Sequence, residues 1–253
     1  MHFAVERALH INEKVSLIDQ GDKVSVEGSN KTIVDQVVTA VGRASNIKDV
    51  GLDALDIPYD DNGFPYYDKT TMQIDDTSLF IAGDLNKERP LLHEAADEGR
   101  IAGFNATHFI QCFQRRTPIH ILFTEPNIAV VGMPYKDIKS DRVVIGEVSF
   151  ADQGRAKILH RNKGILRVYG RKQTGQLLGA EMIAPNGEHL AHLLAWAIQS
   201  NLTVFDVLKM PFYHPTIEEG MRTALRDLAN KVNEQASQFD LAMCDSEAIS
   251  PLS

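Results

Sequence analysis

Polar and apolar residues alternate in the strand manner near the start of the chain, at Lys23-Val24-Ser25-Val26-Glu27 and again at Thr32-Ile33-Val34-Asp35-Gln36-Val37-Val38. Gly28-Ser29-Asn30 between the two runs predicts a hairpin. Thr77 to Asp84 reads as a buried strand ending in Gly-Asp, and a helix is expected from Leu91 with Ala95, Gly99, Ala102, Gly103 and Ala106 as a small-residue face. Further on, Arg142 to Phe150, Gly164 to Tyr169 and Gln176 to Ala180 have strand periodicity, the last two joined by the turn Gly170-Arg171-Lys172-Gln173-Thr174-Gly175. The period then becomes helical. Glu188 to Ser200 places Leu190, Leu193, Leu194 and Ala197 on one face, and Thr203 opens a short helix. Ile217, Met221, Ala224, Leu225 and Leu228 mark the buried stripe of a last helix, with Glu218, Arg222 and Arg226 outward. Periodicity is lost after about Asn230, and 246–253 read as a frayed tail.

The last helix is preceded by His214-Pro215-Thr216-Ile217-Glu218-Glu219. Proline fixes its own φ and pushes the residue before it out of the α region, so Pro215 is predicted as the first helical residue with His214 extended at the helix mouth. One turn inside, Glu219 comes near the imidazole. A carboxylate that holds one ring nitrogen leaves the other free as a general acid or base near neutral pH. A histidine beside a proline is also often only part of a helix cap, so these six residues leave both readings open.

Composition narrows the class of protein. The chain has 253 residues, 43% of them hydrophobic, enough for one large domain or two moderate ones. A net charge of -8 with both signs spread along the chain argues against nucleic acid or an anionic membrane as partner. No run approaches a membrane span, and Met1-His2-Phe3-Ala4-Val5-Glu6-Arg7 lacks the apolar core of a signal peptide, so a cytoplasmic location is expected. Cys112 and Cys244 are far apart, and no close-spaced cysteine pair capable of thiol–disulfide exchange is present. His189 and His192 lie one turn apart on a helix, without the further ligands a zinc site needs, and no metal is expected.

His-Pro-Thr-x-x-Glu resembles the C-terminal motif of the dihydrolipoamide dehydrogenase branch of the FAD-dependent pyridine nucleotide-disulfide oxidoreductases. Other segments resemble the same family in the same order. Thr39-Ala40-Val41-Gly42-Arg43 is similar to the end of its NAD-binding domain, although Ser45 stands where the family has Pro. Ile81-Ala82-Gly83-Asp84 and the helix after it resemble the central FAD region. Phe123-Thr124-Glu125-Pro126-Asn127-Ile128-Ala129-Val130-Val131-Gly132 resembles the beginning of the interface domain, and Gly154-Arg155-Ala156 falls where the family has x-Arg-Ala.

The resemblance implies an α+β fold: an interface (dimerisation) domain at 118–230 with an antiparallel sheet flanked by helices, preceded by partial NAD-domain (1–45) and FAD-domain (46–117) segments and followed by a tail (231–253). It implies His214 as acid–base catalyst and Glu219 as its orienter, with Glu218 unmatched. Gly83, Asp84, Leu92 and His93 are implied at the flavin, Asp84 against the ribityl chain. A homodimer is implied, because in this family the histidine serves the cysteines of the other subunit. FAD and NAD(P) are the cofactors of a full-length relative. No Gly-x-Gly-x-x-Gly follows any strand, so a C-terminal portion of a longer protein is expected, inactive alone and binding neither cofactor. Other disulfide reductases of the family and a non-enzymatic dimerisation module are the alternatives.

Overall fold

The computed structural model describes residues 10–138, 141–233 and 241, and the chain divides into two units between Phe113 and Gln114. Cys244 and the stretches 1–9 and 246–253 lie outside the described residues.

In the first unit β1 (Ser16–Asp19), β2 (Val24–Glu27) and β3 (Lys31–Val34) form an antiparallel meander. The hairpin is where the alternation puts it, with the Gly28 N–H donating to Asn30 O across the turn. Its second strand stops at Val34 rather than Val38, because Val34 pairs with Val24, where β2 begins, and the ladder has no further partner. Thr77 to Asp84 is not a strand. Thr77 spends its hydroxyl on the Ile74 carbonyl and its own carbonyl on Gln73 Nε2, which closes a turn and brings the chain back over 72–74. The pairing between the two stretches is short: an isolated Gln73–Phe80 bridge, the Ile74 N–H donating to Leu79 O and the Ile81 N–H donating to Met72 O. Ile47, Ile57, Ile74 and Ile81 make the small core.

A 3-10 turn, Gly83–Asn86, leads to α1 (Leu92–Thr107). The face that α1 buries carries Glu94, Glu98, Ile101 and Asn105; of the five small residues Ala95 and Ala102 are half-buried and Gly99, Gly103 and Ala106 exposed, so they border the packed face and do not form it. Hydrogen bonds replace apolar contact. Glu98 Oε2 accepts from the Gly83 N–H at 2.6 Å and Asn86 Nδ2 at 2.8 Å, and Asn105 Nδ2 donates to the carbonyls of Thr71 and Gln111.

The second unit is built on β4 (Ile119–Leu122), β5 (Asn127–Gly132), β6 (Val143–Ser149), β7 (Ile165–Arg171) and β8 (Leu177–Ala184), an antiparallel sheet in the order β4-β5-β8-β7-β6. A one-turn helix, α2 (Gly154–Ile158), follows β6. Then come α3 (Gly187–Gln199), α4 (Val204–Leu208) and α5 (Glu218–Ala229). α3 covers β4, β5 and β8, while α5 covers β6 and β7. Leu166, Val168, Ala180, Met182, Leu190, Leu194, Leu225 and Leu228 join one apolar core between sheet and helices.

The helical stripe of α5 is buried as its spacing requires, from Ile217 through Leu228. Leu193 departs from the expected face of α3 and is partly exposed, its place in the core taken by Ala191 and Ala195. α4 starts in a capping box: Thr203 Oγ1 accepts from the Asp206 N–H while the Asp206 carboxylate accepts from the Thr203 N–H. Two glycines let α5 lie against the sheet. A Cβ on Gly146 would fall 2.2 Å from Ala224 O and 2.6 Å from Leu228 Cβ, and one on Gly170 3.0 Å from Leu228 Cδ2.

Candidate active site

α5 begins later than Pro215. Its first backbone bond runs from the Gly220 N–H to Ile217 O, so the helix starts at Glu218, and the His214–Pro215 peptide is cis. The N–H of Thr216, ahead of the helix, donates instead to Glu219 Oε2 at 3.1 Å, and its hydroxyl to Tyr213 O at 2.8 Å. Residues 213–219 are thus wound into a tight turn about the Glu219 carboxylate.

That carboxylate also takes the imidazole. His214 Nδ1 lies 2.9 Å from Glu219 Oε1 and 3.1 Å from Oε2. The Glu219 side chain is 29% exposed and the His214 side chain 81% exposed. The hydrogen bond from His214, and then that from the Thr216 N–H, hold the Glu219 carboxyl below the usual glutamate value. An ionised Glu219 accepts from Nδ1–H, which makes Nε2 the basic nitrogen of the neutral ring. Nε2 has no hydrogen bond among the described residues and faces out.

Beside it lies an apolar cavity of about 390 Å³ between α3, α4 and the loop before α5, lined by Trp196, Ala197, Met210, Phe212, Tyr213 and Met221 among others. Trp196 is 64% and Tyr213 81% exposed, large aromatic side chains left without cover.

Gly83, Asp84, Leu92 and His93 belong to the first unit. Gly83 has φ +72°, and its N–H is already engaged by Glu98. Asp84, 45% exposed, forms an ion pair between Oδ2 and Arg43 Nη1 at 2.6 Å, and Oδ1 has no partner among the described residues. Leu92 and His93 are exposed in the first turn of α1. Asp84 thus keeps one carboxylate oxygen, Oδ1, as an open hydrogen-bond acceptor, a donor-seeking group of the kind that sugar-alcohol hydroxyls can use. The Gly-rich turn that would take a pyrophosphate is not in the sequence. Cys112 is an exposed free thiol. His189 and His192 are exposed on α3, with His192 Nδ1 on Glu188 O at 2.6 Å, and no group of three or more metal-ligating side chains occurs among the described residues.

One contact of the turn had no signal in the sequence. Gln153, at the N-cap of α2, accepts the Ala156 N–H through Oε1 and donates through Nε2 to Thr216 O, both at 2.6 Å. Its partner is 63 residues away in the chain, beyond any local pattern.

Residues 119–225 match the family described as "Pyridine nucleotide-disulphide oxidoreductase, dimerisation domain", and residues 8–99 match "Pyridine nucleotide-disulphide oxidoreductase". The chain belongs to the pyridine nucleotide-disulphide oxidoreductases. Among curated members of that family it is 29% identical over 213 residues to a dihydrolipoyl dehydrogenase of Haloferax volcanii, covering 81% of this chain and 45% of the relative. A dihydrolipoyl dehydrogenase of Bacillus subtilis is 28% identical over 197 residues, covering 77% of this chain and 42% of the relative. The chain thus spans less than half the length of these two oxidoreductases. Among solved structures, LpdA from Mycobacterium tuberculosis superposes with a TM-score of 0.73 at 26% identity, over 86% of this chain and 48% of that one. The flavoprotein disulfide reductase RclA from Escherichia coli shares the fold, with a TM-score of 0.70 at 19% identity, over 86% of this chain and 50% of that one. The α+β architecture with a dimerisation domain is that of the family. No helix among the described residues is long and apolar enough to cross a membrane.

Proposed function

We propose that this chain contributes the acid–base dyad and the dimer-forming domain of a FAD-dependent oxidoreductase of dihydrolipoyl dehydrogenase type, which moves electrons between a dithiol and a nicotinamide cofactor. The observation that carries the reading is the dyad. Nδ1 is held by a carboxylate that is itself fixed by a backbone N–H, and Nε2 is open to an incoming group. In this reading Nε2 takes the proton from one substrate thiol. The thiolate attacks a sulfur of a cysteine disulfide, forms a mixed disulfide and releases one cysteine as thiolate. The second substrate thiol, on losing its proton, displaces the other cysteine, so that the substrate leaves as a disulfide and the cysteines are reduced; the proton held by His214 passes to a cysteine sulfur or to solvent. Glu219 keeps the ring in the Nδ1–H tautomer and stabilises the imidazolium while it exists.

Cys112 and Cys244 are not a redox pair by spacing, so the disulfide comes from outside this stretch of residues. A bound flavin would supply the electron relay between that disulfide and the nicotinamide. On this chain Asp84 would accept from its ribityl hydroxyls, with Gly83 allowing the turn and Leu92 and His93 along its edge. A homodimer, in which each His214 faces the partner subunit, is supported by the dimerisation-domain match and by the uncovered Trp196 and Tyr213 beside the dyad.

The test is complementation. A polypeptide carrying the cysteine pair and both Gly-rich fingerprints is supplied fused or in trans, and dihydrolipoamide-dependent reduction of NAD+ is followed. Activity that requires both parts supports the reading. Full activity without this chain, or none with it in a folded flavin-loaded complex, overturns it.

A further inference from the structure

The dyad depends on a short turn, and the residue that grips this turn from outside is not part of the His-Pro-Thr-x-x-Glu motif. Thr216 is held through both of its backbone polar groups. Its N–H donates to Glu219 Oε2, the carboxylate that orients His214, and its carbonyl accepts from Gln153 Nε2 at 2.6 Å. Gln153 is fixed in turn, since its Oε1 accepts the Ala156 N–H at 2.6 Å and so caps α2. The same stretch of chain braces α5 a second time. Phe150, fully buried, lies under Gly220, where a Cβ would come 2.6 Å from the Phe150 ring. The segment Phe150–Gln153 therefore meets the chain at Thr216, ahead of α5, and at Gly220, in its first turn, on either side of Glu219 in the sequence.

We propose that Gln153 is a positioning residue for the dyad: by clamping the Thr216 carbonyl to the N-terminus of α2 it sets the turn in which Glu219 meets His214 Nδ1. A glutamine suits this because it must accept and donate at once, with a side chain long enough to reach across from the α2 cap. Its two hydrogen bonds run to backbone groups of different elements, so the amide is held in one orientation. Without the Nε2 donor, Thr216 O turns to water and the 213–217 turn gains freedom. The carboxylate then loses its fixed geometry toward the ring. The consequence for chemistry rests on the reading of His214 as a base, but the positioning itself does not.

The experiment uses the whole chain and two variants that separate clamp from cap. Gln153→Ser keeps an α2 N-cap of a favoured kind, is neutral, and is too short to reach Thr216. Gln153→Glu keeps length and the acceptor for Ala156 and removes the donor. Two-bond 1H–15N spectra of His214, taken where the imidazole is neutral, read the tautomer directly. The wild type is expected to be predominantly Nδ1–H, and both variants should shift several-fold toward Nε2–H while α5 amide signals and the unfolding midpoint stay near wild type. An unchanged His214 tautomer in the two folded variants overturns the proposal. A tautomer shift that appears only together with loss of the α5 amide signals also overturns it, since Gln153 would then be holding the fold and not the dyad. Failure of complementation alone, with the tautomer shift intact, would reject His214 as the base and leave the positioning role standing.

Discussion

Gly146→Ala tests whether the second unit owes its site to the close seating of α5 on the sheet. The added Cβ would lie 2.2 Å from Ala224 O and 2.6 Å from both Leu228 N and Leu228 Cβ. Two of these three atoms are helix backbone, so no flexible side chain can move aside. Ordinary contact requires the helix to lift by roughly 1 Å, which separates Leu225 and Leu228 from Val168 and Leu166 in a core packed at near-crystalline density. Overpacking of this kind costs about 1–3 kcal/mol, and the rigid partners argue for about 3. With a urea m-value of about 2 kcal/mol/M for a unit of this size, the midpoint should fall by roughly 1.5 M. The single tryptophan, Trp196, lies on α3 of the same unit, so its fluorescence follows this transition whatever the first unit does. Gly154→Ala is the control: a Cβ there meets nothing within 4 Å, and replacing a helical glycine by alanine should gain a few tenths of a kcal/mol up to about 1. A Gly146→Ala midpoint within about 0.3 M of wild type would refute the argument that α5 is seated on that glycine.

The remaining predictions concern the dyad, the oligomer and the flavin. Glu219 has a lowered pKa in the folded chain, so it contributes stability that is present above the unfolded value of 4.5 and lost as pH falls through the folded value; Glu219→Gln should flatten the pH dependence of second-unit stability below pH 4.5, and an unchanged slope would count against the His214–Glu219 bond. At tens of micromolar, light scattering should give twice the 28.1 kDa chain mass, and Trp196→Glu, placing a charge in the uncovered apolar patch, should shift it toward the monomer; a monomeric wild type would remove the dimer from the account. The purified chain should lack stoichiometric flavin absorbance, because the Asp84 region offers only part of a site; a yellow protein would show that the main flavin contacts lie elsewhere.

The elements of the second unit were legible because their periodicity and their burial agree. β6 to β8 alternate, α5 repeats at helical spacing, and Leu166, Val168, Ala180, Met182, Leu225 and Leu228 all face the one core that the sheet and helices share, whereas Ile183 and Leu193 are left exposed. The first unit was harder for physical reasons. Its longest helix buries Glu94, Glu98 and Asn105 beside Ile101, so a reading that gives the close-packed face to small residues misses the polar groups that hold α1. Ile81 is buried as its apolar segment suggests, yet the segment is no strand, because Thr77 closes a turn and leaves a single bridge. At the site, the spacing of His214 and Glu219 within one turn was enough to bring them together. α5 starts later than Pro215 because its first accepting carbonyl is that of Ile217: the Thr216 carbonyl is taken by Gln153, and the Thr216 N–H is capped by the Glu219 carboxylate. Gln153 could not be found from sequence, since its role exists only once β6 and α5 lie side by side.

The central claim is that His214 serves as the base, and the most direct measurement compares His214→Ala, Glu219→Gln and Glu218→Gln in the complemented, flavin-loaded enzyme. Removing a general base should lower disulfide turnover by roughly a hundredfold or more with flavin content unchanged. Glu219→Gln should cost less, as the ring keeps a hydrogen-bonding neighbour at Nδ1 but loses the negative charge, and Glu218→Gln should cost little. Turnover equal to wild type with alanine at 214 would contradict the account, leaving the His214–Glu219 contact as a cap on α5 and nothing more.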